Sequence, residues 1–308
     1  MTFIVRWIAV LAMMLGVAAA APSASATTPG TDGLITFVRA SQVYTINAVN
    51  GSAVRLTSSG RNSAPEWSPN GSMIAYLHQA GKRRDIWVMA ADGSNKHAVT
   101  TSGRVTMGPA WSPDGTRIAF ADGTNRLMWV NVAQPGLGTP FLGYYTGPWG
   151  DDVPENAAAM YINPNAERAL AWSGDNIIAF VGNYDAQLDF SLQNYNVSTQ
   201  ENRQVGATGA SCCGFLHWSD FSYGPADQLA YGEVEFDLGT STTLPSAVVY
   251  APLAYHRNGD GGPAPSPSGQ FIAVTNSASG TPTIFVQKLD GSGRRQLTTG
   301  TQPDWQHR

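Results

Sequence analysis

The two cysteines of this 308-residue chain, Cys212 and Cys213, are adjacent in the stretch TGASCCGFLHWSD, residues 208–220. Neighbouring Cα atoms lie about 3.8 Å apart across a trans peptide, below the span of about 4.4–6.8 Å that an ordinary disulfide needs. The pair is therefore a strained, easily reduced vicinal disulfide, two free thiols, or a site of pairing between molecules. His217 follows the pair and precedes Trp218. In an alignment of anchors that recur along the chain, five tryptophans and Pro265, the position before each one holds Glu66, Ala110, Ala171, His217, Ala264 or Asp304. Three ionisable residues in six equivalent places could form a general acid/base cluster of His217 with Glu66 or Asp304. The competing reading is that these side chains make hydrogen bonds between repeats.

A second set of candidates lies in GYYTGPWGDDVPENAAAMYINPNA, residues 143–166, where Tyr145 and Trp149 accompany Asp151 and Asp152. Aromatic and acidic side chains on a long loop over a rigid scaffold suit ligand binding, and the same loop could instead cover an exposed strand edge. With Glu155, the acids offer hard oxygen donors but lack the spacing of an EF-hand, so no metal site is assigned. The five histidines show no metal-ligand spacing. There is no G-x-S-x-G nucleophile elbow and no glycine-rich phosphate loop, so the sequence assigns no catalytic residue and no cofactor.

The elements that position these residues come from a repeat. APEWSPNGSMIAYL from Ala64, GPAWSPDGTRIAF from Gly108 and GPAPSPSGQFIAV from Gly262 share one logic. Proline pre-sets φ at the second position of a tight turn, glycine accepts positive φ at its end, and an apolar strand follows. Further strands end at Asp-Gly turns and at a terminal threonine. Weaker copies surround Trp172 and Trp218. The anchors Trp67, Trp111, Trp172, Trp218, Pro265 and Trp305 are 40 to 61 residues apart, and the longest interval contains the 143–166 insertion. Units of this length with four strands each predict an all-β, six-bladed propeller of four-stranded antiparallel blades. Residues 34–57 supply three strands and lack the first. Pro303-Asp304-Trp305 supplies it, so both ends of the chain should share one blade and leave no free sheet edge.

The pattern P-x-W-S-P-D-G-x-x-I-A-F, an aromatic strand, D-G and R-L-T resembles the WD-like repeat of TolB-type six-bladed propellers, and Pro109–Gly115 is the best copy. The resemblance covers residues 33–306. It implies a binding propeller, since the family includes translocation proteins that bind a lipoprotein partner. Strand residues begin at Leu34, which leaves no room for the N-terminal α/β domain of TolB itself.

Arg6, the apolar run Ile8 to Ala21 and Ala24-Ser25-Ala26 read as a secretory signal cut after Ala26. The expected organisation is a signal over 1–26, a linker over 27–32 and a propeller over 33–308, with the product secreted or periplasmic and without a membrane span once the signal is removed. The formal net charge is -4, with Lys and Arg only in short runs such as Lys82-Arg83-Arg84, which does not suggest a nucleic-acid partner. The expected function is non-catalytic recognition of an envelope or extracellular protein or glycan through the channel mouth, using Cys212, Cys213 and the 143–166 loop. The alternatives are an extracellular hydrolase or lyase acting on carbohydrate or peptide in the same funnel, and a sensor built around the cysteine pair.

Overall fold

A computed structural model describes residues 32–146, 158–159, 168, 170–183, 190–207, 214–225, 227–237, 242–243, 247–250 and 253–307. The signal at 1–26 and residues 27–31 of the linker lie outside them. All described elements are strands, and no helix among these residues is long and apolar enough to cross a membrane.

The strands form six sheets. In the closing sheet, Thr301–Trp305 from the C-terminus pairs antiparallel with Leu34–Arg39, followed by Gln42–Asn47 and Ala53–Arg55. The first strands of the other sheets are Arg61–Trp67 (second), Met107–Trp111 (third), Leu170–Trp172 (fourth), Gly214–Tyr223 (fifth) and Asp260–Pro265 (sixth). Each first strand packs against the next, and the sixth returns to the closing sheet, so the sheets form a ring. The shared sheet at the chain ends is as the sequence predicts.

The turns after the first strands follow directly from their residues. In Ser-Pro-Asp-Gly, the Ser112 hydroxyl donates to Asp114 Oδ1 at 2.6 Å and accepts from the Arg117 N–H at 2.9 Å. Thr116 donates to the same carboxylate through its N–H and hydroxyl. Gly115 closes the turn at φ +68°. Ser68 and Asn70 repeat the arrangement, and there Gly71 is required twice over: its φ is +66°, and a Cβ would stand 2.0 Å from the His307 carbonyl oxygen. Outside the fifth sheet, the second strand of each unit is buried on both faces between neighbouring sheets. Every second strand carries a fully buried small residue, Thr36, Ala75, Ala119, Ala179, Ala230 or Ala273, where a larger side chain would overpack the layer.

Two sheets depart from the four-stranded expectation. The fourth consists of Leu170–Trp172, Ile177–Asn183, Phe190–Asn196 and Glu201–Ala207, and gains two outer strands. Leu142–Thr146, the start of the insertion, runs parallel to Glu201–Ala207, and Ala158–Ala159 pairs beyond it. This part of the insertion therefore covers an outer edge. In the fifth sheet, Gly214–Tyr223 pairs with Leu229–Asp237 along a long hairpin, followed by Ala247–Tyr250 and Leu253–His256, while Thr242–Thr243 adds a side pairing.

The fifth sheet also corrects the repeat alignment. Five first strands carry a bulge with a positive-φ residue three places before the anchor: Ala64, Gly108, Gly262 and Gln302 precede Trp67, Trp111, Pro265 and Trp305. In the fifth, that residue is Asp220, which puts Tyr223 in the anchor position and not Trp218. The following turn agrees, since Gly224 N donates to Gln228 O at 2.9 Å as Ser173 N donates to Ile177 O at 2.8 Å. The equivalent of Glu66 and Asp304 is thus Ser222, and His217 lies five residues outside the position the sequence assigned to it.

Trp305 is 2% exposed, while Val49 on a turn is 89% exposed. Trp305→Ala is expected to cost about 3–5 kcal/mol, and Val49→Ala less than about 0.5 kcal/mol. Denaturant midpoints at unchanged slope check this, and equal midpoints would contradict the packing described.

Candidate functional site

The inner ends of the first strands carry a buried charged cluster. Asp304, in the closing sheet, accepts a hydrogen bond on Oδ2 from the Trp67 backbone N–H at 2.7 Å. Glu66, in the second sheet, repeats this one sheet further on, where its Oε1 accepts from the Trp111 N–H at 3.1 Å and its carbonyl accepts from the Trp111 indole at 3.2 Å. The residue before each of these anchors thus bonds to the next anchor round the ring. Arg168, in the segment leading into the fourth sheet, is 7% exposed and donates from Nη1 to the Pro303 carbonyl at 2.9 Å. The fourth and closing sheets are three places apart in a ring of six, so this guanidinium reaches across the channel.

The charges perturb one another. Burial, and then the negative charge of Asp304, push the Glu66 carboxyl up to about 8, against the opposing effects of the Trp111 N–H and Arg168. Burial raises Asp304 as well, with Arg168 and the Trp67 N–H opposing. Burial lowers His307, with Asp304 opposing. Glu66 therefore holds a proton at neutral pH, and Arg168 is the charged partner the two carboxyls share.

These groups line a cavity of about 100 Å³ with Trp67, Trp111, Trp172, Phe221, Tyr223 and Asp227. Its wall includes Pro69, Pro113 and Gly224 from the turns, so it lies where the first strands end. Asp227 accepts from the Gly174 N–H at 2.6 Å and joins the turns of the fourth and fifth sheets. The Trp111 and Trp172 indoles have acceptors, whereas the buried Trp67 Nε1 has none among the described residues. No group of three or more His, Cys, Asp or Glu among the described residues could hold a metal ion.

Of the candidates read from sequence, Glu66 and Asp304 come together here. His217 lies opposite Val234, and Tyr145 opposite Asn202 in the parallel pair, and the side chains of both are outside those described. Cys212, Cys213, Trp149, Asp151 and Asp152 lie outside the described residues. Sequence reading missed Arg168, Tyr223 and His307. A signal for Tyr223 was present, since Leu229-Ala230-Tyr231 resembles the Ile-Ala-aromatic run that follows the anchor turns at Trp67, Trp111 and Trp172. Arg168 had no local signal.

The family description "TolB beta propeller domain" matches residues 14–203, well over half of the chain. No curated protein matches the sequence at a significant level. Among solved structures, TolB from Acinetobacter baumannii is 15% identical with a TM-score of 0.61, over 90% of this chain and 67% of that one. A putative TolB from Agrobacterium tumefaciens is 14% identical with a TM-score of 0.55, over 88% and 91%. A chain of a nidogen/laminin complex is 8% identical with a TM-score of 0.57, over 89% and 98%. At these identities the structures show a shared fold.

The raised Glu66 carboxyl gives a pH prediction. Folded Glu66 keeps its proton up to about pH 8, while the unfolded chain releases it near its ordinary value of 4.5. Between these limits the folded state binds more protons, so the contribution of Glu66 to stability is present below about 4.5 and is lost as pH rises through about 8. Glu66→Gln, which stays neutral, should lose less stability than the parent between pH 5 and pH 9, by on the order of a few kcal/mol. Melting temperatures across that range check it, and parallel curves for the two proteins would contradict the assignment.

Proposed function

The chain belongs to the TolB β-propeller domain family, and from that premise we propose that it is an exported, non-catalytic binding propeller. It recognises a protein of the cell envelope or extracellular space at the channel end lined by Glu66, Asp304 and Arg168. The observation that carries this reading is how the two carboxyls are used. Each is bonded to a backbone N–H of the next sheet, which gives both carboxyls a structural task in holding the ring. The cavity is large enough for a side chain and too small for an extended chain. Its aromatic walls, Trp67, Trp111, Trp172, Phe221 and Tyr223, suit an inserted apolar or aromatic side chain. One of the structural neighbours comes from a nidogen/laminin complex, an assembly between proteins. Export rests on the charged and apolar N-terminal run ending at Ala26.

Glu66 also favours a second reading. A protonated carboxyl raised to about 8 at a cavity wall is what a general acid requires, so a hydrolase or lyase acting on carbohydrate or peptide is the rival. Pro69 and Pro113 stand on the cavity rim at the second position of turns that accept most residues. The double variant Pro69→Arg/Pro113→Arg should keep the fold and block the rim. Parent and variant, immobilised and exposed to envelope extract, should differ by a protein that only the parent retains. Identical captures, or turnover of oligosaccharide or peptide by the parent that Glu66→Gln abolishes, would overturn the binding reading.

A further inference from the structure

The sequence holds three Asn-Gly steps, Asn50-Gly51, Asn70-Gly71 and Asn258-Gly259. This dipeptide is chemically labile, because glycine has no Cβ to keep its backbone nitrogen away from the side-chain carbonyl carbon of the preceding asparagine. Attack by that nitrogen requires the side chain and the next peptide unit to rotate toward each other. The fold therefore decides which steps are free to react. Exposure alone does not separate them, since all three asparagines are exposed.

Two of the three steps are held. Asn70 Oδ1 accepts from the Ser68 hydroxyl at 2.8 Å and from the Ser72 N–H and hydroxyl at 3.1 and 2.7 Å. Gly71 is buried against the His307 carbonyl. Gly259 is packed almost as closely, since a Cβ there would stand 2.5 Å from the Ala278 nitrogen. Its carbonyl accepts from the Ser277 N–H at 2.8 Å, and the Asn258 carbonyl accepts from Asn276 Nδ2 at 2.9 Å. Both glycines thus sit against the backbone of another segment. Asn50-Gly51 lies in the turn between Gln42–Asn47 and Ala53–Arg55 of the closing sheet, where Val49 through Arg55 are all exposed. Apart from its chain neighbours, no described atom lies within 4 Å of where a Gly51 Cβ would stand. Asn50 Oδ1 accepts from the Ser52 N–H at 3.0 Å, which polarises the carbonyl that would be attacked. The Gly51 N–H donates to the Asn47 carbonyl at 2.9 Å, and the short exposed strand that follows leaves this bond easy to open.

We infer that Asn50 is a site of spontaneous deamidation in the folded protein, and that the fold protects Asn70 and Asn258 from it. The Gly51 nitrogen gives its proton to solvent base and bonds to Asn50 Cγ. The Cγ–Nδ2 bond breaks, and the side-chain nitrogen leaves as ammonia. Water then adds to either carbonyl of the resulting succinimide and opens it to aspartate or isoaspartate. One water is consumed, one ammonia is released and one carboxylate is gained, with no oxidant or cofactor. Asn47 pairs with Leu34, next to the Ile35 that pairs with Trp305, so the turn lies at the end where the first strands end. The new charge therefore appears on the face that carries the cavity, in a turn whose Ala48 carbonyl accepts from the Arg295 guanidinium.

Peptide mapping by mass spectrometry of purified protein aged at mildly alkaline pH tests this, beside a sample aged unfolded in urea. In the folded sample Asn50 should convert at least about tenfold faster than Asn70 or Asn258, and in urea the three should convert at similar rates. Ion exchange should show a more acidic form that accumulates in the aged parent and not in Asn50→Gln. No conversion at Asn50, equal conversion at the three sites in the folded protein, or a preference for Asn50 that persists in urea would overturn the inference.

Discussion

The hydrogen bond from the Trp67 backbone N–H to the Asp304 carboxylate joins residues 237 positions apart and fixes where the ring closes. A propeller has no free edge only if its last sheet is completed, and here the completing strand comes from the far end of the chain. The entropic cost of bringing such distant ends together grows only with the logarithm of the loop length, so a small set of good contacts can hold them. Asp304 bonds forward to the second sheet, its carbonyl accepts from Thr36 within its own sheet, and Gln306 bonds to Leu34 and to the Gly71 carbonyl. The closing strand is thereby tied on both sides.

Placing a carboxyl in that position has consequences for the channel. Burying a charge is costly unless it is paired and hydrogen-bonded. Two carboxyls, Glu66 and Asp304, converge there with one guanidinium, Arg168, and the imbalance is met by a proton retained on Glu66. The third and fourth sheets place Ala110 and Ala171 at the equivalent positions, so neither offers a carboxyl from that position to the next anchor. Instead the Arg117 guanidinium lies 5.1 Å from the Trp172 ring centre, a cation–π contact that bridges the same gap. Carboxyls at the position before the anchor are therefore confined to the closing and second sheets, where the chain ends meet.

What the sequence made legible is what local chemistry decides. The Ser-Pro-Asx-Gly turns are closed by their own side chains within five residues, so their pattern reads without knowledge of the fold. Glu66 and Asp304 were found because they occupy a fixed place in that pattern. The fifth sheet misled because Trp218-Ser219 imitates an anchor, while the true one, Tyr223, lacks both the indole and the serine after it. The bulge at Asp220 shows the register most directly, and a bulge is a property of two paired strands. Arg168 was invisible for a similar reason, since its partner Pro303 is 135 residues away and becomes a neighbour only when the ring closes.

The account rests on Glu66 and Asp304 acting as links between successive sheets, and native-state hydrogen exchange of the Trp67 and Trp111 amides tests that most directly. In the parent both amides should be protected. Asp304→Ala should selectively speed exchange at Trp67, and Glu66→Ala should do so at Trp111, each leaving the other amide slower. Protection that survives both substitutions unchanged would show that these carboxyls do not hold the ring and would contradict the structure of the site described here.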